Sequence, residues 1–282
     1  MDEPSFQDRI ERNYELGVPR ESVSTVWREL TNFFVGYGLR PTNEITAVGT
    51  VYFDNRDFDL MRYTILNPAR RMLVRLRAYE TYGEAPKPIL YYWFEIKTKG
   101  LNQWTKKRIK LTRSELATFL AGQPPKQNSP QYKRNGAPRC VDHSFYEEIQ
   151  ELVITMGLRP FFLISYKRLA LEHDKDERVS LDWDLQYYHV DRTVLDSDSW
   201  KYPLVDPIAK SKKTILEIKH CRSNPPGWIA DLEKSFAIQE TGFLKFVEGM
   251  GFLFRGPLKS YREADYFLRL IDAYGGEVRP LG

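Results

Sequence analysis

The chain is poor in cysteine, with only Cys140 and Cys221 among 282 residues. Two cysteines cannot form a framework of several disulfides, and no pair of Cys or His residues has the spacing of a zinc site. The sequence also lacks any apolar run close to the roughly 18 residues that a membrane-spanning helix needs. Residues 1–10 are polar and acidic, without the apolar segment of a secretory leader. These absences predict a soluble, cytoplasmic protein.

Two common nucleotide-binding loops are also missing. The sequence contains neither Gly-x-x-x-x-Gly-Lys-Ser/Thr nor Gly-x-Gly-x-x-Gly, so it gives no support to a P-loop or a Rossmann fold. A strong excess of one charge is missing too, because 42 basic residues face 38 acidic ones and the net charge is +4. That charge is too small for a general nucleic-acid coat, and no nucleic-acid partner is expected. Basic character that matters for function must therefore be local.

What the sequence does contain is a regular alternation of polar and apolar residues. Every second residue from Arg178 to Gln186 is polar, and the residues between them are apolar. Since side chains in a strand point to opposite faces with period two, this segment predicts a strand with one polar and one apolar face. The alternation returns in four further segments whose polar face is mostly cationic: Arg75 and Arg77; Lys97 and Lys99; Lys106, Arg108 and Lys110; Lys219 with Glu217.

This pattern and the helical periodicities define a mixed architecture. Eight strands are predicted, at about 7–16, 48–54, 71–80, 90–99, 104–111, 162–171, 177–187 and 213–221. Helices are predicted at 21–35, 112–120, 144–156, 226–236 and 261–274, and Thr112 with Glu115 forms a capping box. Residues 123–138 are rich in Pro, Gln, Asn and Lys and predict a flexible loop. The strands on both sides of this loop show the same alternation of polar and apolar residues, so residues 1–282 are interpreted as a single domain.

The alternation leaves two interpretations of which strand face, the apolar or the charged one, points to the interior. In an ordinary sandwich the apolar faces form the core and the charges are simply solvated. The second interpretation starts from the helices, whose apolar stripes must pack on something, and the apolar strand faces are the obvious partners. In that case the charged faces converge on an interior.

A cationic interior would need an anionic occupant. Two like charges about 4 Å apart repel by roughly 4 kcal/mol at an effective dielectric constant near 20. Phosphates are the natural partners, because their oxygens match both Arg and Lys donors. Glu11, Glu95, Asp182 and Glu217 occur among the cations; they either neutralise neighbouring cations or hold a divalent metal such as Mg²⁺ or Mn²⁺.

Short motifs that occur in order along the chain strengthen the phosphate interpretation. They are Arg9-Ile-Glu11-Arg-Asn13-Tyr14, Val51-Tyr-Phe-Asp54-Asn55 leading to Asp59, Arg75-Leu-Arg77, Glu95-Ile-Lys97-Thr-Lys99, Lys106-Lys-Arg108, Tyr166-Lys-Arg168, Arg178-Val-Ser-Leu-Asp182, Glu217-Ile-Lys219 and Leu244-Lys245-Phe246. From about residue 7 to about residue 250 the chain resembles the VTC domain. This is the polyphosphate polymerase branch of the triphosphate tunnel metalloenzymes, or CYTH-like superfamily.

The resemblance implies an α+β fold, in which an eight-stranded antiparallel β-barrel forms a tunnel with a basic lumen and α-helices flank it. It implies Mn²⁺ or Mg²⁺ as cofactor, with Glu217 as the principal metal ligand and Glu11 as a second. The cations that match catalytic positions are Lys219, Arg75, Arg77 and Lys245. Those that match substrate-binding positions are Lys97, Lys99, Lys106, Arg108, Arg168 and Arg178.

The activity implied is transfer of the γ-phosphate of ATP to a growing polyphosphate chain. A hydrolase acting on tripolyphosphate or a nucleoside triphosphate is an alternative on the same fold, and a non-catalytic polyphosphate-binding module is another. Two departures from the family pattern stand out: Asn13 replaces a usual lysine, while Arg12 has the wrong parity to substitute for it. Leu244-Lys245-Phe246 keeps the cation of a Ser-Lys-Tyr pattern but loses the hydroxyl groups.

Overall fold

The computed structural model describes residues 9–42, 44–67, 69–83, 88–100, 104–124, 133–134, 137–138, 143–173, 177–200, 205–221 and 225–277. The strands are β1 (Arg9–Leu16), β2 (Arg40–Pro41), β3 (Thr46–Asp54), β4 (Arg71–Thr81), β5 (Tyr92–Lys99), β6 (Trp104–Leu111), β7 (Lys133–Arg134), β8 (Ala137–Pro138), β9 (Arg159–His173), β10 (Glu177–His189), β11 (Ala209–Lys210), β12 (Thr214–Cys221) and β13 (Glu240–Thr241). The eight predicted strands are confirmed as the eight long ones. Alternating β-branched and aromatic residues explain why these segments extend.

The helices are α1 (Val23–Val35), α2 (Asp59–Leu66), α3 (Arg113–Leu120), α4 (His143–Thr155), α5 (Trp228–Phe236), α6 (Lys245–Arg255) and α7 (Ala264–Glu277). The five predicted helices correspond to α1, α3, α4, α5 and α7, while α2 and α6 were not predicted. The capping box of α3 is confirmed, because Thr112 accepts a hydrogen bond from the backbone of Glu115 and the Glu115 side chain accepts one from the backbone of Thr112.

The main sheet has eleven strands rather than eight. Along its path the order is β13-β1-β12-β10-β9-β3-β4-β5-β6, with β11 added beside β10 and β2 beside β9. The pairings in this sheet are antiparallel. The three extra strands have two residues each, so they add only short pairings to β1, β9 and β10.

The predicted closed eight-stranded barrel is wrong. In the part of the chain that the structure describes, no backbone pairing joins β6 to β1, so the curved sheet stays open along one seam. Strand β13 pairs with Asn13 and Tyr14 of β1 and occupies the backbone edge that closure would need there. Side chains cross the gap instead, since Lys97 of β5 forms an ion pair with Glu11 of β1.

Helices cover the outer face of the curved sheet. Phe34 of α1 and Trp228 of α5 are buried with Leu216 and Ile218 of β12. In the same way α3 and α4 are buried against the apolar faces of β4, β5 and β6. Full burial of one such side chain contributes about 1.5–3 kcal/mol. The interpretation in which helices cover the apolar faces is confirmed, and the charged faces turn inward.

Helix α6 fills one end of the interior. Phe246 packs against Tyr52 and Phe162, with ring centroids 5.2 and 6.0 Å apart. Gly249 lies directly on the Phe162 ring, and a Cβ at this position would overlap it. Helix α7 packs behind α6 and extends the same apolar cluster. The polar space is therefore confined to the other part of the interior.

A β-bulge interrupts β10 where the sequence suggested unbroken alternation. The register with β9 shifts between Trp183 and Gln186, and Asp184 adopts a left-handed conformation with φ of 57°. Asp184 pairs with Lys167, the neighbour of the inward-facing Arg168, so it points to the opposite face from Asp182. The predicted polar face of β10 thus ends at Asp182.

Two predictions about the organisation of the chain are not tested by the described residues. Much of the predicted loop at 123–138, namely residues 125–132 and 135–136, lies outside the described residues. The assignment of residues 1–282 to one domain stays a prediction. Of the helices that are described, none is both long enough and apolar enough to cross a membrane.

Candidate functional site

The open part of the interior is a cavity of about 360 Å³ lined mainly by basic side chains. Eight of the eleven lining residues are cationic, and the others are one glutamate and two aromatic residues. The lining consists of Glu11, Arg75, Arg77, Tyr79, Trp93, Lys97, Lys106, Arg108, Arg168, Arg178 and Lys219. Strands from both halves of the curved sheet contribute, so the cavity brings together side chains more than 200 residues apart in sequence.

Strand register explains how these side chains meet. Arg75 of β4 is paired with Glu95 of β5, which is paired with Arg108 of β6. Across the interior, Lys219 of β12 is paired with both Arg178 of β10 and Glu11 of β1. Paired residues in neighbouring strands point to the same face, so each row delivers its charges to one space.

Glu95 is the centre of one group of charges. It is fully buried, and its carboxylate lies 2.9 Å from Nε of Arg75, 2.7 Å from Nζ of Lys106 and 4.0 Å from Nε of Arg77. Burial alone would raise the pKa of Glu95, but the charges of these three cations hold it well below its usual value. The group therefore carries a net positive charge that faces the cavity.

Lys219 links the two predicted metal ligands. Its Nζ lies 2.8 Å from Glu217 and 3.5 Å from Glu11, and Glu11 also pairs with Lys97. Burial would raise the pKa of Glu11, yet the charges of Lys97 and Lys219 outweigh it and lower the pKa to about 2. Burial opposes ionisation of Glu217 as well, but Lys219 and Arg168 hold its pKa well below the usual range. Both carboxylates are thus ionised at neutral pH.

A third group lies beneath the cavity, around Asp182. The guanidinium of Arg168 donates two hydrogen bonds to this carboxylate, at 2.5 and 2.6 Å, and Lys245 approaches it to 2.9 Å. Arg168 also reaches Glu217 at 3.5 Å, which joins this group to that of Lys219. Lys245 is the first residue of α6, where a cation is opposed by the helix dipole, so Asp182 compensates for an unfavourable position.

Two groups at the cavity have pKa values near the physiological range. Burial lowers the pKa of Lys106 to about 8, although the charge of Glu95 works in the opposite direction. Desolvation alone would raise the pKa of Tyr79, but the charges of Arg77, Lys106 and Arg168 together outweigh it and lower the pKa to about 8. Proton uptake and release at this site therefore fall close to neutral pH.

Most of the predicted site residues are brought together by the structure. Of the predicted catalytic and substrate-binding cations, Arg75, Arg77, Lys97, Lys106, Arg108, Arg168, Arg178 and Lys219 line the cavity with Glu11. Glu217 and Lys245 lie just beneath it through their contacts with Lys219 and Asp182. The individual roles assigned to these residues stay predictions.

Lys99 and Arg12 lie elsewhere. Lys99 is not among the described residues that line the cavity. It is level with Arg71, whose guanidinium lies over the ring of Tyr274 in α7, at 5.5 Å. Arg12 points outward and pairs with Glu240 at 2.9 Å, as its parity predicted. Asn13 is paired with Glu217 in register, so a neutral side chain stands at the position where the sequence resemblance implies a lysine.

Sequence reasoning missed two lining residues, Tyr79 and Trp93. Both carried an available signal, since Tyr79 follows Arg77 by two residues and Trp93 precedes Glu95 by two, which gives them the parity of the charged face. Aromatic residues in strands are usually core residues, so parity alone does not distinguish Tyr79 and Trp93 from core positions.

The carboxylates fit a metal ion that takes most of its ligands from elsewhere. Among the described residues, no group of three or more His, Cys, Asp or Glu side chains converges on one point. Glu217 and Glu11 nevertheless share one cationic partner, the ammonium of Lys219. Mg²⁺ is commonly bound by one or two carboxylates together with phosphate oxygens and water. The pair would therefore supply two carboxylate ligands to a divalent metal ion whose other ligands are phosphate oxygens and water.

Comparison with known proteins identifies the family of this chain. A family model described as the VTC domain matches residues 5–254. The chain belongs to the VTC domain family. In Schizosaccharomyces pombe, vacuolar transporter chaperone complex subunit 4 is 25% identical over 238 residues, covering 75% of this chain and 32% of that protein. Subunit 2 of the same complex is 21% identical over 229 residues, covering 72% and 30%. The VTC chain thus spans about a third of the length of these curated relatives.

Solved structures also align with most of the VTC chain. A candidate adenylate cyclase from Bacillus halodurans covers 86% of this chain and 96% of its own, with 11% identity and a TM-score of 0.48. A candidate adenylyl cyclase from Hippeastrum, described as having dominant triphosphatase activity, covers 89% and 96%, with 11% identity and a TM-score of 0.45.

Proposed function

We propose that this VTC domain is a metal-dependent polyphosphate polymerase that transfers the γ-phosphate of ATP to a growing polyphosphate chain. The observation that carries the proposal is the convergence of eight basic side chains on one cavity, with Glu11 at its wall and Glu217 beside it. Membership of the VTC family supports the same substrate class. The substrates are ATP or another nucleoside triphosphate and inorganic polyphosphate or tripolyphosphate.

The cations bind and align the phosphates. Arg75, Arg77 and Lys106 are already oriented by Glu95, so they meet an incoming phosphate without a large loss of side-chain entropy. Arg168 is held in the same way by its two hydrogen bonds to Asp182. Phosphoryl transfer depends mainly on such positioning and on charge stabilisation.

Lys219 and Lys97 exchange partners when substrate binds. In the described structure both pair with Glu11, and a phosphate that enters the cavity competes for their ammonium groups. A divalent metal ion held by Glu217 and Glu11 would supply Lewis-acid stabilisation of the phosphate charge. The released lysines then orient the terminal oxygen of the acceptor chain toward the γ-phosphorus. The new P–O bond forms there as the bond to ADP breaks, and ADP leaves with the electron pair.

Asn13 favours a second candidate, hydrolysis of a triphosphate. A neutral side chain stands beside Glu217 where the family pattern has a lysine, so one cation that could orient an acceptor phosphate is missing. Water needs no such cation in order to attack the γ-phosphorus. The third candidate, a non-catalytic binding module, is favoured by the ion pairs that occupy Glu11 and Glu217.

One set of incubations separates these functions. With ATP and Mn²⁺ or Mg²⁺, a polymerase produces long polyphosphate visible on a gel, whereas a hydrolase releases orthophosphate from tripolyphosphate. Measurable binding with neither product identifies a binding module and overturns the polymerase proposal.

Glu217→Gln tests the metal assignment. We expect it to abolish turnover and weaken Mn²⁺ binding, measured by electron paramagnetic resonance, while tripolyphosphate still binds in metal-free buffer. The matched control is Glu148→Gln, because Glu148 pairs with Lys107 on the outer surface. Unchanged turnover in Glu217→Gln would contradict the assignment.

A further inference from the structure

The rim of the basic cavity carries aromatic side chains that phosphate binding does not explain. Trp93 and Tyr79 belong to the cavity lining. Tyr79 is 45% exposed and Tyr91 is 39% exposed, while Trp93 is partly exposed. The faces of aromatic rings carry partial negative charge, so these faces contribute little to binding of a highly charged anion.

Strand geometry places these rings together. Trp93 of β5 is paired with Arg77 of β4 and with Lys110 of β6. Tyr91 precedes Trp93 by two residues, so it continues the same side of the chain toward the rim. Nζ of Lys110 lies 3.7 Å from the centroid of the Tyr91 ring and 5.8 Å from a ring centroid of Trp93, so one ammonium group lies close to both rings.

Cations already stack on this aromatic surface. The guanidinium of Arg108, a cavity residue, lies 4.3 Å from the Trp93 ring. Planar cations and nucleobases use the same aromatic faces for stacking, and a base can also stack on the guanidinium plane. The rim thus offers a mixed aromatic and guanidinium surface next to the phosphate-binding cations.

The spacing suits a nucleotide. Trp93 and Tyr91 lie two and four residues from Glu95, or about 7 and 14 Å along an extended chain. Glu95 is the centre of the cation group formed by Arg75, Arg77 and Lys106. A triphosphate held by those cations would therefore direct its ribose and base toward the rim.

From these observations we propose that Trp93, with Tyr91 and the Arg108 guanidinium, forms a stacking site for the nucleobase of a nucleoside triphosphate whose phosphates occupy the cavity. This inference rests on the proposed triphosphate-binding function and deepens it. Stacking is tolerant of base identity, so the site distinguishes nucleotides from inorganic polyphosphate more strongly than it distinguishes ATP from GTP.

The test compares two ligands that share a triphosphate and differ in the nucleoside. Calorimetric titrations with ATP and with tripolyphosphate are made in metal-free buffer on the wild-type chain, Trp93→Ala, Trp93→Phe and Tyr91→Ala. We expect Trp93→Ala to bind ATP about tenfold more weakly while tripolyphosphate binding changes less than about twofold. Trp93→Phe should retain most ATP affinity, and Tyr91→Ala should show a smaller loss that is again confined to ATP.

The control is Tyr63→Ala, which removes an aromatic ring 42% exposed on α2, outside the cavity lining. Thermal unfolding of each variant establishes that it folds. Equal losses for both ligands in Trp93→Ala would show that the rings only hold the cations in place, and that result overturns the proposal. An unchanged ATP affinity overturns it as well. If the wild-type chain binds neither ligand, the proposed function fails first and the stacking site fails with it.

Discussion

Replacing Glu95 with glutamine should destabilise the empty protein and strengthen its binding of phosphate. The carboxylate is fully buried among Arg75, Arg77 and Lys106. Removing the charge of one partner in a buried ion pair costs about 3–5 kcal/mol, because the remaining charges lose their compensation. We expect the free energy of unfolding of Glu95→Gln, measured in urea at pH 7 without ligand, to fall by this amount.

The same substitution removes a negative charge that repels the ligand. A phosphate bound on the cavity side of Arg75 has its charge roughly 7 Å from Glu95, and at an effective dielectric constant near 20 the repulsion is about 2 kcal/mol. Tripolyphosphate should therefore bind about thirtyfold more tightly to Glu95→Gln at low salt. Added salt should reduce this gain, since the cavity is open to solvent.

Urea denaturation and calorimetric titration on the same samples check both halves of this prediction. Glu148→Gln is the matched control, because it changes an exposed pair with Lys107 on the outer surface and should alter stability by less than about 0.5 kcal/mol. If stability and tripolyphosphate affinity fall together, the alignment of Arg75 and Lys106 by Glu95 contributes more to binding than the negative charge of Glu95 costs, and the predicted gain in affinity is refuted. Unchanged stability would refute the predicted destabilisation.

Three further predictions concern other parts of the molecule. Tripolyphosphate affinity should fall as pH rises from 7 to 9, because Lys106 loses its positive charge and Tyr79 gains a negative one near pH 8. Titration calorimetry across this pH range checks the prediction, and an affinity that does not change with pH contradicts it. Asn13→Lys should raise polyphosphate synthesis, measured on gels, by restoring a cation beside Glu217, whereas Arg12→Ala on the outer face should leave synthesis unchanged. Asp54→Ala should lower the free energy of unfolding by about 2–4 kcal/mol, because Asp54 accepts hydrogen bonds from three backbone N–H groups, two of them at the start of α2. Denaturation without ligand tests this, and a loss below about 1 kcal/mol would contradict it.

The strands and their facing could be predicted because period two is a strong local signal. Arg75, Lys97 and Lys219 share the parity of the charged face, and the cavity brings all three together. The same parity places Arg12 on the opposite, outer face, where it pairs with Glu240. Parity fixes a face but no position along it, which is why Lys99 lies level with Arg71 rather than at the cavity.

Features set by distant packing could not be predicted. Helix α6 was missed because Gly249 and Gly251 interrupt a segment that is apolar on several sides, and only the close approach of Phe162 explains the first glycine. The open seam depends on β13, a pairing of two residues far along the chain. Which carboxylate meets which ammonium group is likewise a property of the assembled sheet, as in the pair of Lys97 with Glu11.

The open seam between β6 and β1 has a consequence for the mechanical stability of the curved sheet. Neighbouring long strands elsewhere are joined by ladders of backbone hydrogen bonds, whereas Lys97 and Glu11 meet here through their side chains. Such a contact weakens with ionic strength, while a backbone ladder does not. In concentrated salt, the sheet should therefore open first along this seam. Faster amide exchange in β1 and β6 than in β3 and β9 would reveal it.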